Sequence, residues 1–121
     1  MILDACESII DAIRAAGIPA TLDAREIKPP GCFVTVTKLK RDALVDGWQI
    51  SGDVLVIVRD LGGIGDLKQL SELVDDVIPI LDDENLEIEG IDANQRATPP
   101  TGGTLPAARI RWSGVIHRKD I

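Results

Sequence analysis

Residues 48–81, WQISGDVLVIVRDLGGIGDLKQLSELVDDVIPIL, decide how the rest of the chain must be arranged. Val54, Leu55, Val56, Ile57 and Val58 form an unbroken apolar run, β-branched at every position but Leu55. Such a run suits a strand buried on both faces in the middle of a sheet. Gly62, Gly63 and Gly65 end it with a turn. Asp66 then stands where a helix N-cap belongs, and Gln69 follows three residues on, as in a capping box. Leu67, Leu70, Val74, Val77 and Leu81 recur at spacings of three and four, an apolar stripe that would lie back over the sheet. Pro79 is expected to end or kink this helix after Ile78.

The flanking segments supply partners for that strand. CFVTVTKL alternates Phe33, Thr35 and Thr37 with Cys32, Val34 and Val36, a strand pattern. Residues 38–46 read as a loop that joins it, antiparallel, to the central strand. Their basic group, Lys38, Lys40 and Arg41, is either a solvated loop or a docking loop against an acidic neighbour. Ile2–Ala16 reads as an amphipathic helix, with Ile2, Cys6, Ile9, Ile10 and Ile13 on one face and Asp4, Glu7, Asp11 and Arg14 on the other. Gly17 sits at its C′ position and Pro19 stops it. Residues 20–28 form a connector with a short strand at ATLDA.

On the downstream side, LEIEGI alternates as a strand. The segment 92–104, DANQRATPPTGGT, is polar, with two prolines and two glycines; a loop of that length is functional or disordered. In the last strand, 105–117, Ile110, Trp112, Gly114 and Ile116 point one way and Arg109, Arg111, Ser113, Val115 and His117 the other. The order α–β–β–α–β–β predicts an α+β fold, a mainly antiparallel sheet with two helices packed on one face. The 121 residues fit a single domain spanning 1–121.

Composition narrows the function classes. Aromatics are 2% of the chain, only Phe33, Trp48 and Trp112, so the core must be aliphatic and a base-stacking surface is not expected. A net charge of −7 argues against a basic face for duplex phosphates. The acidic surplus serves solubility, or a surface that avoids sticking to nearby DNA. Cys6 and Cys32 stand in apolar company without metal-ligand spacing, which predicts buried free thiols. MILDACESI lacks the basic start of a signal peptide, and no apolar run approaches the ~20 residues of a membrane helix. A soluble, intracellular chain is expected.

The search for catalytic chemistry finds no complete set. LGGIGD matches neither G-x-x-x-x-G-K-[ST] nor G-x-G-x-x-G, and the aspartate that opens the following helix would repel an anion. His117 shares a strand face with Ser113, but residues four apart on a strand lie ~13 Å apart, too far for direct proton transfer. LDDENLEIE has acidic ligand types without the glycine and glutamate register of a calcium loop. No catalytic, cofactor or metal residue is therefore assigned. Arg109 and Arg111 either pair with Glu87 and Glu89 on a neighbouring strand or meet acids on another copy of the chain.

The sequence of elements resembles a known family. A short N-terminal helix, the PPGCFVTV strand, GWQISGDVLVIVRDLG with a helix behind it, and a Pro/Gly loop before LPAARIRWSGVI are similar to the tail terminators of long-tailed bacteriophages, especially small ones from phages of actinobacteria. The resemblance implies a hexameric ring that caps the tail tube in the virion, ends tube polymerisation and meets the head connector. It implies a non-enzymatic protein assembled in the host cytoplasm, with DNA passing through a neutral or acidic lumen without specific binding. By position alone, segments 38–46 and 92–104 are its candidate contact loops. With the last strand, they make Lys38, Lys40, Arg41, Arg96, Arg109 and Arg111 the candidate subunit or partner contacts. Head–tail connector and head-closure proteins share this size and ring habit, and a small cytoplasmic α+β binding module is the alternative outside the virion.

Overall fold

The computed structural model describes residues 1–100 and 103–117. The fold is mixed α+β. Five strands, β1 (Ala20–Thr21), β2 (Gly31–Asp42), β3 (Gly47–Ile57), β4 (Glu87–Ala97) and β5 (Leu105–His117), form one sheet of order β1-β2-β3-β5-β4. Every pairing is antiparallel except the two-residue contact of β1 with β2. Helix α1 covers Ile2–Ala15 and α2 covers Gly63–Asp83. The element order differs from α–β–β–α–β–β by β1 and a 3₁₀ turn, Ala24–Glu26, between α1 and β2.

The apolar run lies where its composition demands. β3 is the central strand, and Val54, Val56, Ile57 and Val58 are fully buried. Val54, Val56 and Val58 share a core with Cys6, Ile9, Ile10 and Ile13 of α1 and Leu70, Val77 and Leu81 of α2. Val34, Ile110 and Trp112 complete it from the neighbouring strands. Ile57, of opposite parity, joins a smaller cluster with Ala97, Ala107, Phe33, Leu55 and Leu105. Trp112 presses its ring close to Gly52: a Cβ there would lie 2.7 Å from Trp112 Cζ2 and would collide with the Thr35 carbonyl oxygen. The Trp112 indole Nε1 is buried and has no hydrogen-bond partner among the described residues.

Both helices close with the same backbone device. Gly17 takes a φ of +83°, and its N–H donates to Arg14 O at 2.9 Å while Ile18 N–H donates to Ile13 O at 3.3 Å. Asn85, with φ +60°, repeats this after α2: its N–H donates to Asp82 O at 3.0 Å, and Leu86 N–H donates to Leu81 O at 3.1 Å. These bonds serve carbonyls that a helix end would otherwise leave bare.

The structure corrects four sequence expectations. Pro79 does not end the helix at Ile78, because α2 continues to Asp83 with Pro79 inside it. Both Pro79 and Asp75, whose carbonyl loses its donor, are on the exposed side where water can serve that oxygen. Asp66 is not the N-cap; Gly62 is, and Asp66 lies within the first turn. Leu67 is exposed rather than part of the buried stripe. The supposed loops 38–46 and 92–104 each begin as strand, since β2 runs to Asp42 and β4 to Ala97, and the hairpin turn itself is only residues 43–46. Part of the second segment, residues 101–102, lies outside the described residues.

Register is unbroken only at the centre. β3 and β5 pair without interruption from Gly47 opposite His117 to Ile57 opposite Ala107. β2 carries a break between Val36 and Lys38, and β4 carries two, between Ile88 and Gly90 and between Asp92 and Gln95. In each case the extra residue belongs to the strand farther from the centre.

Candidate functional site

The six candidate cations fall in three separate places. Lys38, Lys40 and Arg41 occupy the far end of the β2–β3 hairpin, all exposed. On β2, Leu39 is the last side chain packed against the core, Lys40 and Arg41 lie beyond it, and the turn Ala43–Asp46 follows. Arg41 stacks over the Trp48 ring at 5.6 Å from its centroid, which holds the guanidinium against the hairpin. Arg96 lies at the opposite end of the sheet, opposite Pro106 in register and exposed. Arg109 and Arg111 lie between these groups on β5.

The two β5 arginines have partners on their own chain, but not those expected. Arg109 Nε lies 3.5 Å from Asp53 Oδ2, and Arg111 Nε lies 3.4 Å from Asp92 Oδ2. The register break in β4 explains the change. It sets Gly90, not Glu89, opposite Arg111, and the guanidinium lies over the bare glycine, 2.7 Å from where a Cβ would be. Asp92 then falls opposite Arg109, diagonal to Arg111. Acids and bases thus alternate across β3, β5 and β4 on the face opposite the main core. With the arginines 43% and 51% exposed, each pair is worth at most about 1 kcal/mol. Arg109→Glu with Arg111→Glu should therefore lower stability by only about 1–2 kcal/mol, mostly from the new like-charge pairs. Urea melts test this; a loss above about 4 kcal/mol would place the ladder in the core energetics rather than on a surface.

Other candidate chemistry dissolves on inspection. The glycine turn supplies its own anion: Asp66 Oδ1 accepts from Leu61 N–H at 2.7 Å and Gly62 N–H at 3.0 Å. Two N–H groups of the turn are thereby taken by the chain's own carboxylate, whose charge would repel a phosphate. Gln69 Nε2 donates to Arg59 O at 2.9 Å and ties the helix back to the end of the strand. His117 lies with its Nδ1 3.3 Å from Val45 O, across the hairpin turn. Ser113 shares an open groove with it, formed by α1, the end of α2, β3 and β5, yet the ~13 Å between them on one strand stands. Cys6 and Cys32 are buried free thiols, and burial pushes the Cys32 thiol up to about 12. Among the described residues no three His, Cys, Asp or Glu side chains gather as a metal-holding group. No described helix is long and apolar enough to cross a membrane.

Leu44, at the hairpin turn, is 98% exposed, and Leu61, Ile64 and Leu67 around the start of α2 are 66%, 85% and 62% exposed. Sequence reasoning gave no role to Leu44, Leu61 or Ile64, nor to Asp53 or Asp92, and assigned Leu67 to the core. Leu44 and Ile64 do carry a signal: each is apolar inside a turn, DALVDG and GGIGD, where no periodicity assigns it to a core. The chain matches no family model and no curated protein.

Proposed function

We propose that the chain is the subunit of a ring, of six copies in the family it resembles, that caps the tail tube of a long-tailed bacteriophage. The ring ends tube polymerisation and joins the tail to the head connector. The observation that carries this reading is the β2–β3 hairpin. On β2 the core ends at Leu39, one residue past Lys38, while β3 is still paired to β5 as far as Gly47. The hairpin continues past Leu39 as an arm that presents Lys40, Arg41 and the exposed Leu44. A domain folding for itself alone has no use for such an arm, whereas a subunit that must grip a neighbour does.

Two helices on one face of the sheet leave the opposite face, with its charge ladder, free to meet neighbouring proteins. The role asks for no active site. Growth stops because the exposed side of the ring offers the next tube subunit no matching surface, so shape and charge mismatch do the work. Twenty acidic residues against 13 basic ones make a lumen without a phosphate-holding collar easy to build.

The deciding experiment is deletion of the gene from its phage. Over-long tails unattached to heads are the expected product. Tails of normal length that fail to join heads would point instead to a head-closure ring. Normal tails joined to heads would rule out both.

A further inference from the structure

The exposed apolar side chains lie at opposite ends of one strand. β3 begins at the turn that carries Leu44 and ends beside the segment that carries Leu61, Ile64 and Leu67. Its 11 residues separate the two surfaces by about 33 Å. They cannot touch within one chain. Ile64 and Leu67 are three residues apart on the first turns of α2, and Leu61, just before the helix, packs its Cβ 3.3 Å from where a Cβ on Gly65 would be, so the three lie together at the entry to α2.

Charge follows the same polarity. The arm carries Lys38, Lys40 and Arg41 against Asp42 and Asp46. Asp42 is already engaged, accepting from Leu44 N–H at 3.0 Å and from Gln49 Nε2 at 2.8 Å. Helix α2, beyond Lys68, exposes Glu72, Asp75 and Asp76 and has no cation to its end. Spacing matches as well. Lys40 is four residues from Leu44 across the end of β2 and the turn, at most about 14 Å of chain, and Glu72 is eight residues from Ile64, about 12 Å along a helix. An arm laid tip-first on the start of α2 would bring its lysines to the acidic turns.

We infer that the Leu44 tip of one copy docks on the Leu61–Ile64–Leu67 surface of the next, with Lys38 and Lys40 against the acids of α2. The contact joins two different surfaces, so each copy keeps one of each to offer, and repetition closes into a ring or continues as a filament. The inference rests on the proposed ring for its closure. The pairwise contact stands on the surfaces themselves.

Sedimentation of the whole chain with Leu44→Asp and Ile64→Asp tests it, since both side chains are exposed and neither change touches the core. Wild type should assemble, while each variant alone should be monomeric, its association weakened by about a hundredfold or more. An equimolar mixture of the two should form dimers and nothing larger. There, the intact tip of the Ile64→Asp chain meets the intact surface of the Leu44→Asp chain, and both remaining ends are spoiled. A monomeric wild type, a variant that assembles like wild type, or a mixture that stays monomeric would each overturn the contact. These outcomes are separable from the tail role. Variants that assemble normally, with a deletion phage that makes over-long tails, would leave the ring reading standing and this contact gone. The dimerising mixture with normal tails in the deletion phage would do the reverse.

Discussion

Trp112→Ala should lower the stability of the domain by about 3–5 kcal/mol, a large share of the roughly 5–15 kcal/mol that holds a domain folded. Trp112 is fully buried at the centre of an otherwise aliphatic core, so no neighbour can swing in to fill the space it leaves. Trp112→Phe should behave very differently, costing less than about 2 kcal/mol. The indole Nε1 is buried without a partner among the described residues, a state that itself costs about 1–3 kcal/mol. Phenylalanine removes that donor along with the lost volume, and the two effects oppose each other. Urea denaturation of both variants measures the difference. A phenylalanine variant as unstable as the alanine one would show that the N–H is satisfied, as by a bound water.

The second large effect is expected at Gly52, from the addition of one carbon. A Cβ there meets the Thr35 carbonyl oxygen on one side and the Trp112 ring on the other. The first is backbone in the middle of the β2–β3 pairing and the second is wedged in the core, so neither can move aside. Gly52→Ala should cost about 2–4 kcal/mol, at the upper end of overpacking effects. Gly114→Ala provides the control. Its Cβ would come 2.8 Å from Leu86 Cδ2, the tip of a flexible and only partly buried side chain that can turn away. It should cost less than about 1 kcal/mol. Equal losses at the two positions would mean that the surroundings of Gly52 yield as readily as the Leu86 side chain does, and that close approach does not require the glycine.

The contrast between these residues and the missed ones shows what a sequence can reveal. Val54–Val58 was legible as the centre of the sheet because burial on both faces leaves one kind of residue at every position. The faces of β5 were legible for the same reason: Ile110 and Trp112 are buried while Arg109 and Arg111 are not. Residues 92–97, DANQRA, were not legible, because β4 is an edge strand whose pairing comes from β5 and whose side chains are mostly solvated. Lys38–Asp42 failed likewise: a strand that leaves the core has the composition of a loop. The arginine partners depended on a register break that no local pattern signals. Pro79 misled because its cost depends on whether water can reach the orphaned carbonyl, a matter of which helix face is outward.

The three register breaks have a consequence for how the chain can associate at all. An edge strand in regular register exposes a row of N–H and C=O groups that will pair with almost any extended segment. Here β4, broken twice, and the uncovered length of β2, broken once and lined by Lys38 and Lys40, cannot offer such a row. Backbone-driven stacking, which is indifferent to sequence and has no natural stopping point, is thereby closed off. Association must pass through particular side chains. It is then graded by salt and alterable by one substitution, as the proposed contact between copies requires.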